Sequence, residues 1–340
     1  MLFRRSTPPP APPPLRPGPV AFGKIPAKGD FVRLGTASPV LDRFDRWAQE
    51  AMRAAEAQRQ VLPDTDRTPT VRVAFAPPDS PHVLVGACRL SGDRVGRRYP
   101  FVAGRSVDRR LLDTPLAPRW PIHWAALFDG AADFVDAAVE GHAAPDALAP
   151  RLQQLPPAPT SLRKGTEPLR RYDEALRARP AADLWTATWG SPDASEKPVL
   201  FHRLRAATGA ADGPRRELPA CGLVFSLPAE TSGLDPEHVA AAWAEIAWRT
   251  AGRPPRPPSL WWTEPEPGAP GQLGVFFGDV PPSALALLLG RPLENAPGLC
   301  VLGAPPGALR PADAALALPD RLGRLLEAPG LPLGTFLDSL

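Results

Sequence analysis

"TVRVAFAPPDSPHVLVGACRLSGDRVGRRYPFVAG", residues 70–104, decides the fold. "TVRVAFA" (70–76) alternates polar and apolar residues before turning apolar, and "HVLVGACRL" (82–90) is nearly all apolar. "PPDSP" between them is a cluster of turn formers, so the two runs read as a hairpin. "SGDRVGRRYP" then reverses the chain again, into a third strand near Tyr99 to Ala103. Short connections of this kind join antiparallel neighbours, because parallel ones need a long crossover.

Upstream lies a clear helix. Ser38 stands at its N-cap and Pro39 at its first position. Val40, Leu41, Phe44, Trp47, Ala48, Ala51, Met52 and Ala55 share one side, with charged residues opposite and Asp42 spaced to pair with Arg46. Downstream, "PIHWAALFDGAADFVDAAVEG" and "PLRRYDEALRA" read as helices, "LWTATWG" and "KPVLFHRL" as strands, and "ACGLVFSLP" as a buried strand. Asp235, Pro236 and Gly252 bracket another helix, on which Trp248 lies about 140° from Trp243 and so faces a second element or a partner. "SLWWTE" and "LGVFFGD" form a second hairpin; Trp261 and Trp262 point to opposite faces, one into the core and one outward as a surface anchor. "PPSALALLLG" is a short helix. Hairpins separated by helices predict one α/β domain, a three-layer α/β/α sandwich around a mixed, mostly antiparallel sheet. Its expected span is 21–310, with 142–215 as a loop and helical insertion. A proline-rich, disordered leader (1–20) precedes it, and a tail with short helices (311–340) follows.

The 340 residues carry 39 basic and 36 acidic side chains, a formal charge of +3, too even a balance to point to nucleic acid. The 49 prolines cluster in connections and tails. Cys88, Cys221 and Cys300 are far apart, which fits free thiols in a reducing compartment rather than a disulfide framework. No CxxC or HxxxH spacing offers a metal site, and His82 and His202 sit in strand-like runs as structural histidines. The N-terminus lacks the apolar core of a signal peptide, and no run reaches the ~18 apolar residues of a membrane span; a cytoplasmic chain is expected.

"FGKIPAKGDFV", residues 22–32, mimics a phosphate loop in composition only. A P-loop needs GxxxxGK(S/T) between a strand and a helix. Here Asp30 follows the second glycine and would repel phosphate, and Pro26 removes a backbone donor. Gly23 and Gly29 read as turn or close-packing positions and Phe22 and Phe31 as core anchors at the two ends. Asp30 is expected to reach a backbone N–H or an arginine of the "GDRVGRR" turn. Lys24 and Lys28 face either a partner or water. In that turn, Arg94, Arg97 and Arg98 around Asp93 and Gly96 make either an anion or acidic-peptide site, or a self-paired structural turn. There is no GxSxG elbow, no Cys–His signature and no spaced carboxylate pair, so no catalytic residue, cofactor site or metal ligand is assigned.

These two stretches carry a resemblance. Phe22 to Val32 resembles the signature F-G-K-x-P-x-x-G-D-F of the TagF (ImpM) family of type VI secretion-associated proteins, and Ser91 to Phe101 resembles its second signature, S-x-D-R-x-G-R-x-(F/Y)-P. The helix carrying Phe44 and Trp47 is similar to the family's first helix, and Ser259 to Thr263 to a later strand. The resemblance covers 22 to about 105 well and 219–290 loosely. It implies a non-enzymatic, post-translational repressor of type VI secretion assembly that binds the apparatus's forkhead-associated scaffold protein. The implied motif or interface residues are Phe22, Gly23, Lys24, Pro26, Lys28, Gly29, Asp30, Phe31, Asp93, Arg94, Gly96 and Arg97, with Trp248, Trp261 and Trp262 from the chain itself. The competing readings are a phosphate or nucleotide sensor or enzyme using Lys24, Lys28 and Arg94, and a structural component of the apparatus.

Overall fold

A computed structural model describes residues 18–111, 117–141, 144–158, 167–209, 222–227, 234–266, 270–291, 297–302 and 310–340. The proline-rich leader up to residue 17 and Cys221 lie outside the described residues.

The first half runs β1 (Pro19–Gly23), β2 (Val32–Gly35), α1 (Pro39–Ala57), β3 (Val71–Phe75), β4 (His82–Gly92) and β5 (Arg98–Asp108). Helices α2 (Trp120–His123), α3 (Ala125–Val139), α4 (Leu148–Gln153), α5 (Glu167–Ala178), α6 (Ala181–Trp189) and α7 (Lys197–Ala207) follow. Next come β6 (Gly222–Leu227), α8 (Pro236–Thr250), β7 (Ser259–Thr263), β8 (Gly271–Phe276), α9 (Leu285–Leu288) and β9 (Leu299–Val301). Helices α10 (Pro311–Leu316), α11 (Asp320–Leu326) and α12 (Leu333–Ser339) close the chain.

One nine-stranded sheet has the order β2-β1-β5-β4-β3-β7-β8-β6-β9. Its neighbours are antiparallel except for β6 beside β9, so the sheet is mixed and mostly antiparallel. Residues 70–104 do form the central meander, with Val71 opposite Cys88 and Ala87 opposite Ala103. Pairing of β3 with β7 welds the two halves into one sheet.

Over the central strands both faces of that sheet are covered. Val71, Val73, Phe75 and Trp261 pack against Phe44 and Trp47 of α1 and Leu285 and Leu288 of α9. The alternate residues, Ala74 and Trp262 among them, pack against Phe128 of α3 and Trp243 of α8. This corrects three expectations. Trp261 and Trp262 do point to opposite faces, but both are core, because each face is covered by helices. Trp248 is buried too, its indole N–H donating to the Pro254 carbonyl at 3.1 Å. "LWTATWG" and "KPVLFHRL" are helical, not strands, and carry His202 onto α7. Trp185 and Trp189, four residues apart, thereby share a helix face and meet Trp243, with ring centroids 6.0 Å away in each case.

Ser38 does stand before α1, but its hydroxyl donates to Ser106 Oγ at 2.9 Å instead of capping the helix. Asp42 accepts from Arg33 at 3.0 Å, while Arg46 Nε reaches only the Asp42 carbonyl, at 3.5 Å.

The helices of the second half are held by a buried carboxylate. Glu245 of α8 accepts from Arg119 at 3.1 and 3.2 Å and from Arg249 at 2.7 and 3.0 Å. Burial pushes the Glu245 carboxyl up, but the two guanidinium groups overcome that and hold it below its ordinary value. Arg119 also reaches Asp173 of α5 at 2.7 Å, and Arg249 the Leu337 carbonyl of α12 at 2.8 Å.

Two outcomes follow. Trp262→Ala, which empties the space under Phe128 at a ring separation of 4.5 Å, should lower stability by about 3–5 kcal/mol in urea unfolding. Glu245→Ala should lower it by about 3–5 kcal/mol, because Arg119 and Arg249 lose the buried carboxylate they share and keep only the more exposed Asp173 and Asp338.

Candidate functional site

The signature residues converge at one end of the sheet, where the β1–β2 loop meets the β4–β5 turn. In the first loop, Pro26 sits in a turn closed by the Lys28 N–H donating to the Ile25 carbonyl at 3.1 Å. In the second, Asp93 organises its own turn. Its carboxylate accepts the backbone N–H groups of Val95 at 3.1 Å and Arg97 at 2.9 Å, and its carbonyl accepts the Gly96 N–H at 2.9 Å. Gly96 has φ +85°, which explains the glycine there.

Three ties lock the turns together. Lys24 Nζ donates to Asp93 Oδ2 at 2.9 Å, with both side chains buried. The Arg94 N–H donates to the Lys28 carbonyl at 2.9 Å. Arg97 donates from Nε to Asp93 at 2.7 Å and from Nη2 to the Gly29 carbonyl at 2.6 Å. Gly23, at φ +135°, lets β1 pass so close to β5 that a Cβ would lie 2.1 Å from the Pro100 carbonyl oxygen. Burial alone would push the Asp93 carboxyl up; Lys24, Arg97 and the Val95 amide outweigh it and hold the group far below the usual carboxylate range.

On the open side, Phe31 stacks on Phe22 at 5.4 Å and meets Tyr99 edge-on at 5.0 Å. The Lys24 ammonium lies 5.0 Å from the Phe31 centroid. Tyr99 is anchored by its hydroxyl, which donates to Asp45 of α1 at 2.6 Å. Phe22 is buried as expected, but Phe31 is not a core anchor: it is 45% exposed, lying over Phe22 and Tyr99 rather than beneath them. Asp30 accepts the Phe31 N–H at 2.8 Å, the backbone alternative of the two foreseen. Lys24 is buried and paired, whereas Lys28 is exposed.

The arginines divide their roles. Arg97 pins the turn, Arg98 pairs with Asp64 at 3.3 Å, and Arg94 is exposed with its guanidinium beside Gly29. Val95, 68% exposed, completes the surface. Sequence reasoning passed over it, because a valine in a turn carries no signal of its own. Trp248, Trp261 and Trp262 belong to the core and not to this junction.

A second polar cleft of about 640 Å³ lies where β3, β4 and α3 meet. Buried Arg72 pairs there with Asp129 at 2.9 Å and Glu264 at 2.6 Å. Buried Arg89 pairs with Asp136 at 2.8 Å and Glu140 at 2.9 Å. The carboxylates of Asp129, Glu237 and Glu264 approach within 4.8 Å of one another, but the Arg72 guanidinium already supplies cationic charge to two of the three. No helix among the described residues is long and apolar enough to cross a membrane.

Residues 20–155, which contain both turns, match the model of a family described as TagF N-terminal domain, type VI secretion system-associated. Among solved structures, PA0076 from Pseudomonas aeruginosa PAO1 aligns over 86% of this chain and 100% of its own, at 17% identity and a TM-score of 0.46. No curated protein matches the chain.

The lock predicts an order of effects. Asp93→Ala strands the buried Lys24 ammonium and several donors, so it should lower the thermal midpoint more than Lys24→Met, which leaves Asp93 its other partners. Because the folded-state pKa of Asp93 is depressed, its contribution is complete above the unfolded value of about 3.9 and is lost as pH falls towards the folded one. Urea unfolding of wild type and Asp93→Asn should therefore differ most near neutrality and converge in acid; a constant difference would show that the charge is not what stabilises the junction.

Proposed function

We propose that this chain, a member of the type VI secretion-associated TagF family by its residues 20–155, restrains assembly of the secretion apparatus after translation by binding one of its proteins. The apparatus's forkhead-associated scaffold protein is the partner this reading names. The observation that supports it is the division of the junction into a closed interior and an open surface. Asp93 is occupied by Lys24, Arg97 and two backbone amides, so this buried carboxylate is not poised to take a proton. Lys24 is committed to Asp93 and the Lys28 amide to the Ile25 carbonyl, so neither is offered to a phosphate. What the junction offers to solvent is Phe31, Val95, Lys28 and Arg94, a mixture suited to protein contact.

Deleting the gene should raise secretion of the system's tube protein, measured by immunoblot of culture supernatants, and restoring the full chain should return it to the parental level. Unchanged secretion on deletion would overturn the regulatory reading. Purified full chain should also retain the forkhead-associated protein on a column.

A further inference from the structure

The outer face of the junction carries two features that the lock beneath it does not use. The first is charge. Among the described residues no carboxylate pairs with Lys28 or Arg94, although both belong to a surface otherwise laced with ion pairs. Arg97, its side chain 58% exposed, adds a third cation whose Nε and Nη2 are spent on Asp93 and Gly29. Against them stands one exposed carboxylate of the two loops, Asp30, which accepts the Phe31 N–H. The second feature is apolar. Of the four large hydrophobic residues exposed among the described residues, Phe31 and Val95 both belong to this junction. Phe31 is held in place by Phe22 and Tyr99, so little freedom remains for binding to remove.

We propose that this face docks an acidic peptide segment of a protein partner, its carboxylates paired by Lys28 and Arg94 and one apolar side chain seated on Phe31 and Val95. The proposal rests on the reading that the chain acts by binding protein, and it names the chemistry of what is bound. Unpaired cations at the rim of an apolar anchor steer an acidic segment and set its register, while the anchor supplies the burial. Each exposed ion pair is individually weak and is screened by salt, so affinity should depend on both cations and fall as salt rises.

The test is a random dodecapeptide phage library panned on the immobilised full chain, and in parallel on Arg94→Glu and Val95→Asp chains. Both side chains are exposed, so circular dichroism and thermal midpoint should stay at the parental values; Lys28→Glu replaces either variant that fails to fold. Enriched peptides should be rich in Asp and Glu around a Leu, Phe or Trp. A fluorescein-labelled enriched peptide should bind the Arg94→Glu chain about tenfold more weakly than the parent by anisotropy, since reversal replaces an attraction with a repulsion. The parental affinity should fall with added salt. Absence of enrichment, enrichment without acidic bias, or equal binding by the folded variants would each overturn the proposal. The secretion assay keeps the two readings separable. If peptide selection fails while deletion still raises secretion, the docking chemistry falls and the regulator stands. If acidic peptides bind as stated but deletion changes nothing, the regulator falls and the docking surface stands.

Discussion

Lys24 and Asp93 sit 2.9 Å apart, both screened from water. A buried ammonium and a buried carboxylate are each expensive alone, so each fixes the position of the other. Because Lys24 follows β1 and Asp93 follows β4, this contact joins two turns that are far apart in sequence and that the pairing of β1, β5 and β4 brings together. The remaining ties, Arg94 to the Lys28 carbonyl and Arg97 to the Gly29 carbonyl, bridge the same two turns. The exposed residues inherit their placement from these ties: Phe31 follows the clasped first turn and Val95 lies inside the second.

The sequence made the meander legible because its signals are local: apolar runs, turn formers and short connections. The same locality explains the errors. "LWTATWG" is rich in residues that favour strands, and a window of seven cannot show that Trp185 and Trp189 both meet Trp243. The stop signal was present in Gly190, which takes φ +73° at the end of α6, but a glycine also ends strands. Strand alternation places the tryptophans of β7 on opposite faces but does not reveal whether the second face is covered, so it cannot tell a surface tryptophan from a core one.

The candidate site was legible in its letters and not in its roles. Both turns stood out, and the alternatives of pairing and binding were already visible in "GDRVGRR". What one dimension could not supply was the division of labour among like residues: Lys24 against Lys28, or Arg97 against Arg94. That division depends on which cation lies next to Asp93 after the loops fold together. Phe31 shows the same limit, because an aromatic flanking a strand is more often buried than displayed, and here it lies over Phe22 and Tyr99 instead.

The features that imitate a phosphate loop are therefore spent on shape. Gly23 admits β1 against β5, Pro26 sets the turn, Lys24 is absorbed by Asp93, and the Lys28 amide closes its own turn. A phosphate site needs the opposite arrangement, with cations and amides left open around a cavity. By consuming its inner charges, the junction becomes a rigid mount, and rigidity is what an exposed aromatic needs if it is to gain from contact instead of losing motion to it. Lys28 and Arg94 stay outside that economy because both are exposed and no carboxylate among the described residues pairs with them, and so their charge is still open to an outside partner.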